Sequence, residues 1–337
     1  MNIMNDSEFH VLGIGNAIVD MLIKVDDIFL EKNKIKKGTM ELVAEETVAK
    51  LIRKLNPKTM FSGGSAANTM VGISALGGKS AFIGKVKDDE IGREFAHDLN
   101  AIGVEFDAPN INYGPPTASC IVLVTPDAER TMLTYLGASG ELSLGDIKKE
   151  RILASNITYI EGYLWDSNEA KRAILAASRI AKDEGRLVSF SLSDPFCVER
   201  HRTEFREIVK NCADIIFANE DEIVSLYQVD KLEKALREIK EDCQIAAITR
   251  GSLGSVIIAH GEVLSIEAEP VVSVVDTTGA GDAYAAGFLY GLTHNFKEFE
   301  AGQLASLCAA EVITKMGARP PLFLPESIKK AIGKPLN

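Results

Sequence analysis

The chain has 337 residues, of which 46% are hydrophobic and 25% charged. That suits one large α/β domain, or one domain with a smaller appendage, and excludes a disordered or collagen-like chain. The formal net charge of −11 argues against wholesale binding to nucleic acid, while leaving room for local phosphate sites.

Five cysteines, at 120, 197, 212, 243 and 308, are widely spaced and include no C-x-x-C. They read as reduced thiols rather than a disulfide framework or zinc site. The start of the chain is polar and acidic, unlike a secretory signal, and no run of eighteen apolar residues occurs. A cytoplasmic protein without membrane or nucleic-acid partners is therefore expected. The five histidines show no H-x-x-x-H pairing, and none is assigned to a metal.

In chain order, Phe9 to Val25 reads as an apolar strand broken at Gly13-Ile14-Gly15-Asn16 and resumed at Ala17. The Gly13-x-Gly15 pair is not a dinucleotide fingerprint, because position 18 is Ile and strand rather than helix follows. Asp20 interrupts the apolar pattern. It is either a satisfied edge-strand carboxylate or one that awaits a ligand hydroxyl.

Asp26–Lys37 reads as loop or short helix, Gly38–Val43 as a strand, and Glu45–Leu55 as a helix stopped by Asn56-Pro57. Phe61-Ser62-Gly63-Gly64-Ser65-Ala66-Ala67-Asn68 introduces a helix of small residues ending at Gly77-Gly78. Paired glycines at a helix start permit either close helix packing or close approach of a ligand, toward which Asn68 could point its amide. Ser80–Val86 is a strand and Glu90–Ala101 a helix. Residues 115–124 and 130–136 form a hairpin about Thr125-Pro126-Asp127-Ala128-Glu129. These early β-rich pieces, about 17–45 and 113–137, suggest a lid inserted in a single α/β domain spanning 1–337.

Beyond Gly145 strand and helix alternate. Strands fall at Ile157–Ile160, Leu187–Leu192, Asp214–Ala218 and Ile245–Thr249, with helices at Asn168–Asp183, Glu199–Lys210, and from near Glu220 and Lys231. Continuous apolar strands between amphipathic helices imply a parallel sheet buried on both faces, with ligands at the carboxyl ends of its strands.

The stretch Val275–Leu292 carries the sharpest chemistry. In Asp276-Thr277-Thr278-Gly279-Ala280-Gly281-Asp282, glycines precede a helix whose positive end and free N–H groups suit an anion. Asp282 is then either a helix cap or a base beside a phosphoryl group.

Four motifs now agree in order. Gly63-Gly64-x-x-x-Asn68, Asn219-Glu220-Asp221-Glu222, Thr249-Arg250-Gly251-Ser252-Leu253-Gly254 and Asp276–Asp282 resemble the motifs of the ribokinase-like (PfkB) family of carbohydrate and purine kinases, over about Val11 to Pro320. Gly15–Asp20, Val25–Leu30, Ala118-Ser119-Cys120 and Ser191-Leu192-Ser193-Asp194-Pro195-Phe196 are most similar to the adenosine kinase branch. Ser191 and Asp194 depart from that branch's Asn and Ala, and Ala67 stands where it often has Gln, a form shared with sugar kinases.

The resemblance implies a three-layer, doubly wound, mostly parallel sheet with a small β-rich lid. It implies transfer of the γ-phosphoryl group of ATP to the 5′-OH of a nucleoside such as adenosine. The alternatives are a sugar kinase for ribose or fructose, or a nucleoside-binding regulator without catalysis. Asp282 would be the base, with the N–H groups of Gly279, Ala280 and Gly281 as anion hole. Asn219 and Glu222 would hold Mg²⁺ through water. Arg130, Asn219, Thr249, Gly251 and Gly254 would border ATP. Asn16, Asp20, Gly63, Gly64 and Asn68 would bind the ribose, and Cys120, Tyr163 and Phe196, with Leu42, would flank the base. Many relatives use K⁺ near the anion hole, and the branch implies a monomer rather than a homodimer.

Overall fold

The computed structural model describes residues 7–57, 60–107, 111–127, 129–319 and 328. Ala128 of the expected turn, Pro320 at the end of the resemblance and residues 1–6 lie outside them. The first half of the chain runs β1 (Phe9–Ile14), β2 (Ile18–Lys24), α1 (Asp27–Asn33), β3 (Met40–Leu42), α2 (Glu45–Leu55), β4 (Met60–Gly63), α3 (Ser65–Ala75), β5 (Ser80–Ile83), α4 (Glu90–Ile102) and β6 (Val104–Glu105). It continues through β7 (Ala118–Val124), β8 (Arg130–Tyr135), α5 (Lys149–Leu153), β9 (Ser155–Glu161), α6 (Asn168–Asp183), β10 (Leu187–Ser191) and α7 (Pro195–Asn211). The last part comprises β11 (Ile215–Asn219), α8 (Glu220–Tyr227), α9 (Leu232–Asp242), β12 (Ile245–Thr249), β13 (Ser255–Ala259), β14 (Glu262–Ile266), α10 (Ala280–Thr293) and α11 (Glu298–Ile313).

Nine strands form one sheet in the order β14-β13-β12-β11-β10-β9-β1-β5-β6. It is parallel except where β13 pairs with β12 and β14. Apolar residues point alternately to its two faces, which is why its central strands read as unbroken hydrophobic runs. Val11, Tyr159, Phe217 and Ile245 join the core beneath α3, α4, α10 and α11. Leu12, Ile160, Phe190 and Ile216 join the opposite core with α6 to α9. The result is a three-layer α/β fold.

The helix ends follow local chemistry. Asp89 caps α4 by accepting from Gly92 N, and Gly103 closes that helix in the left-handed region. Asp194 caps α7, with Pro195 in its first turn. That helix starts four residues before the expected Glu199, and non-helical backbone at His201 divides it. Helices α10 and α11 are apolar nearly all round. They approach closely at Gly287, where a Cβ would lie 2.8 Å from Ala305 Cα.

A second sheet has the order β3-β8-β7-β2-β4. One face packs on α1 and α2 through Met21, Ile121, Leu123 and Leu133 against Leu30, Val48 and Leu51. Strand β4 belongs to it as well, although Phe61–Gly63 reads in the sequence only as the approach to a helix. Its pairing with β2 brings Gly63 opposite Ile18. The strand bearing Asp20 is consequently interior, flanked by β7 and β4, which removes the edge-strand explanation for that carboxylate.

Candidate active site

The carboxyl ends of β1 and β9 to β12 face the second sheet across a cavity of about 960 Å³. This is the crevice in which open α/β sheets bind ligands. Of the residues singled out in the sequence, Asn16, Asp20, Gly64, Asn68, Cys120 and Tyr163 line it. So do Phe196, Asn219, Glu222, Thr249 and Gly279 to Asp282. Gly63, Arg130, Gly251 and Gly254 do not.

The head of α10 projects into this cavity. Gly279 occupies the left-handed region at φ 78°, and a Cβ there would strike the backbone of Ala318. A Cβ on Gly281 would meet no protein atom within 4 Å. The N–H groups of Gly281 and Asp282 belong to the first helical turn and lack intrahelical acceptors. Together these leave an open, positively polarised cradle suited to an anion.

Asp282 follows at once. Its Oδ1 accepts from Ser65 Oγ at 2.7 Å, and its Oδ2 from Asn68 Nδ2 at 3.1 Å. Protein encloses the carboxyl except where it meets the cavity. This desolvation raises its pKa to about 6, against the pull of those two donors. Asp282 thus caps no backbone of its own helix through an Asx bond. It remains ionised at neutral pH and close to the range of a useful base.

Asp20 is half-buried and receives no hydrogen bond from the described residues. Burial lifts its pKa to about 6, opposed by the positive charges of Arg319 and Arg130. A Cβ on Gly63 would collide with its carboxylate, so Gly63 makes room for Asp20 rather than touching the cavity. Gly64, at φ 94°, starts α3 where a Cβ would strike Asn16 O.

The model of the pfkB family of carbohydrate kinases matches residues 39–324. The chain belongs to the PfkB family. A probable fructokinase-7 of Arabidopsis thaliana is 32% identical over 280 residues, covering 77% of this chain and 80% of that protein. Among solved structures, a probable sugar kinase from Rhizobium etli superposes with a TM-score of 0.91 at 44% identity, covering 96% of this chain and 99% of that one. The adenosine kinase from Sinorhizobium meliloti gives 0.90 at 44% identity, covering 96% and 100%. The PfkB chain described here is a phosphotransferase acting on an alcohol group, with a ribokinase-like fold. Among its described residues no helix is long and apolar enough to cross a membrane.

In this PfkB enzyme the Asn219-x-x-Glu222 motif is a capping box at the start of α8. Asn219 Oδ1 accepts from Glu222 N at 2.8 Å, and Glu222 Oε2 accepts from Asn219 N at 3.0 Å. Burial raises the Glu222 carboxyl to about 7. Arg130 forms an ion pair with Asp276 and also approaches Met316 Sδ at 3.1 Å, so it is engaged away from the cavity. Phe196 is 69% exposed, and Tyr163 is half-buried, with its hydroxyl donating to Ser193 O at 3.3 Å. Gly254 turns the chain at φ 81° between β12 and β13, and Gly251 is exposed beside it.

Three site residues escaped the sequence reading. Ser65 supplies one of the two donors to Asp282. Buried Glu161 accepts from Asn16 N at 2.8 Å, Asn16 Nδ2 at 2.6 Å and Ala66 N at 2.8 Å, and burial raises it to about 7. It thereby fixes Asn16 and the head of α3 in one place. An acid at the carboxyl end of a buried parallel strand was a signal available for Glu161. Arg319, beyond α11, donates through Nε to Asn68 Oδ1 at 3.3 Å, and nothing in its local sequence marks it.

Proposed function

We propose that this PfkB enzyme transfers the γ-phosphoryl group of ATP to the 5′-hydroxyl of a nucleoside, with adenosine as the preferred acceptor. The observation that carries the choice is the apolar surface left open beyond the polar groups. Phe196 is 69% and Leu42 47% exposed, and both line the cavity with Tyr163, Cys120 and Met132. Large apolar side chains facing a cavity are what a flat base would cover, and a bare furanose would leave them wet. The 44% identity to the Sinorhizobium meliloti adenosine kinase supports the same reading.

In the proposed reaction, Asn16, Asp20, Gly64 and Asn68 take the ribose hydroxyls. Asp20 has lone pairs free for that purpose. The acceptor oxygen attacks the γ-phosphorus, the bond from that phosphorus to the bridging oxygen of ADP breaks, and the hydroxyl proton passes to Asp282. The N–H groups at the head of α10 receive the charge of the transferring phosphoryl group. Thr249 borders the nucleotide on the β12 side, with the Gly251–Gly254 turn behind it.

No group of three or more His, Cys, Asp or Glu able to hold a metal occurs among the described residues. Asn219 and Glu222, which line the cavity, would be hydrogen-bond partners for the water shell of a Mg²⁺ that arrives with the phosphates. The ion neutralises phosphate charge when bound. The second sheet would act as a lid that excludes water from the acceptor.

A sugar acceptor is the second reading, favoured by the fructokinase and sugar-kinase relatives. Comparison of kcat/KM on adenosine, inosine, ribose and fructose, with Mg-ATP and K⁺ present, separates the two. Preference for a nucleoside by about tenfold or more is expected, since a pocket built for one acceptor discriminates at least that well. Preference for a free sugar would replace the nucleoside assignment.

A further inference from the structure

After α11 the chain returns to the site through residues 314–319. Gly317 N donates to Asp276 Oδ2 at 2.6 Å, and Arg319 reaches the half of the site formed by α3. Its Nε donates to Asn68 Oδ1 at 3.3 Å, while its Nη2 is buried with no hydrogen-bond partner among the described residues. The charges around it are those of Asp98 on α4 and Asp20 on β2, both of which favour the guanidinium. Asp98 is itself occupied by Ser62 Oγ at 3.0 Å.

The chemistry of the two flanking groups determines which way the Asn68 amide faces. A guanidinium only donates, and an ionised carboxylate only accepts. With Arg319 on one side and Asp282 on the other, Asn68 has a single satisfactory orientation, with Oδ1 toward Arg319 and Nδ2 toward Asp282. Asn68 is 6% exposed, so water offers it little alternative. Without Arg319 the amide would be held by the Asp282 carboxylate alone, and its buried Oδ1 would lose the donor that fixes the other side.

We propose that Arg319 is a positioning residue of this kinase, which fixes the Asn68 amide so that its NH₂ group orients Asp282 toward the acceptor hydroxyl. The role rests on the proposed place of Asp282 as base, though not on which acceptor is used. The residue touches neither reacting atom, and it acts through Asn68 alone.

A double-mutant cycle tests this. Arg319→Ala is expected to lower kcat/KM for the acceptor by about 10- to 100-fold, the effect of losing a hydrogen bond to a charged group, with kcat falling. KM for ATP should stay within about twofold, since a loss confined to one network leaves distant sites independent. In the Arg319→Ala background, Asn68→Ala should add little to the loss of kcat, whatever it adds to KM through its own contact with the acceptor, and guanidinium ion should restore part of the kcat. Arg319→Gln, which can donate but carries no charge, is the second variant. It is read in the same cycle if the alanine variant does not give a cooperative thermal melt. Additive effects of the two positions on kcat, or a uniform rise in KM for both substrates without change in kcat, would overturn the proposal. All ratios are taken on whichever acceptor the wild type phosphorylates. A wild type that prefers fructose would defeat the nucleoside reading and leave the Arg319 ratio to be measured on fructose.

Discussion

Arg130 and Asp276, 146 residues apart, form an ion pair whose side chains are only 12% and 3% exposed. It ties the second sheet to the residue that leads into the anion loop. The same Asp276 carboxylate accepts from Thr278 N at 3.0 Å and from Gly317 N at 2.6 Å. One buried carboxylate thus gathers β8, the loop before α10 and the segment after α11. Its place in the Asp276–Asp282 motif is structural.

Asp276→Ala should therefore destabilise the fold by about 3–5 kcal/mol, because it leaves a buried guanidinium and two backbone N–H groups unpaired. Denaturant unfolding of the two proteins measures the difference. Arg130→Ala should cost less, since Thr278 N and Gly317 N would still hold the carboxylate. A loss at Asp276 below about 1 kcal/mol, the range of an exposed pair, would show that the pair is solvated in solution.

The two glycines of the anion loop should separate folding from turnover. Gly281→Ala places its methyl group in open cavity, and alanine is the better helix former by up to about 1 kcal/mol. Stability should be unchanged or slightly raised, while kcat falls by about 10² or more as the methyl group obstructs the phosphate. Gly279→Ala should behave oppositely at the level of folding. It forces alanine into the left-handed region, at about 1–2 kcal/mol, and against Ala318. Thermal melts beside steady-state rates check both expectations, and an active Gly281→Ala enzyme would move the phosphate elsewhere.

Asp282 sets a pH dependence. Its carboxyl is raised to about 6 by burial, and a base must be ionised to accept a proton. Activity should be on a plateau above about pH 7 and fall as pH drops through 6. Stability runs the other way. A carboxyl whose folded pKa exceeds its unfolded value stabilises the fold most below the unfolded value, and that contribution is lost as pH rises through the folded one. Asp20, Glu161 and Glu222 are raised likewise, to about 6, 7 and 7. Their combined contribution declines between about pH 4 and 7. Asp282→Asn should lower kcat by about 10² or more and leave acceptor binding near normal. Retained turnover would reduce Asp282 to a structural partner of Ser65 and Asn68.

Much of this architecture was legible because local signals coincided with tertiary demands. Asn56-Pro57 marks a helix end and unbroken runs such as Ile245–Thr249 a doubly covered strand, whereas α7 starts at Asp194-Pro195 rather than at the expected Glu199. The head of α10 was legible because its glycines precede a helix start, where Gly279 takes the left-handed backbone and Gly281 leaves the cavity open. What escaped depends on partners distant in sequence. Met60–Gly63 becomes a strand only through pairing with β2, and Glu161 acquires its role from Asn16 and Ala66. Arg130 reads as a phosphate ligand in isolation, but the partner that claims it is 146 residues away. Arg319 meets its amide partner across 251 residues, a relationship that no local pattern encodes.

Phe196 offers the most direct test of the acceptor. It lies in the first turn of α7, 69% exposed and lining the cavity, so its ring contributes little to the core. Phe196→Ala should change unfolding free energy by no more than about 0.5 kcal/mol, as for other surface positions. If the ring stacks on a base, the loss is about 1–3 kcal/mol of acceptor binding, or roughly 5- to 150-fold in KM for adenosine. The kcat at saturation should change less, because the ring is remote from Asp282 and the head of α10 in chain and chemistry. Ribose, which has no base to stack, should be used as well by the variant as by the wild type. Equal losses on adenosine and ribose would mean that Phe196 shapes the cavity as a whole, and the base would then have to lie against Leu42 and Met132 on the second sheet instead.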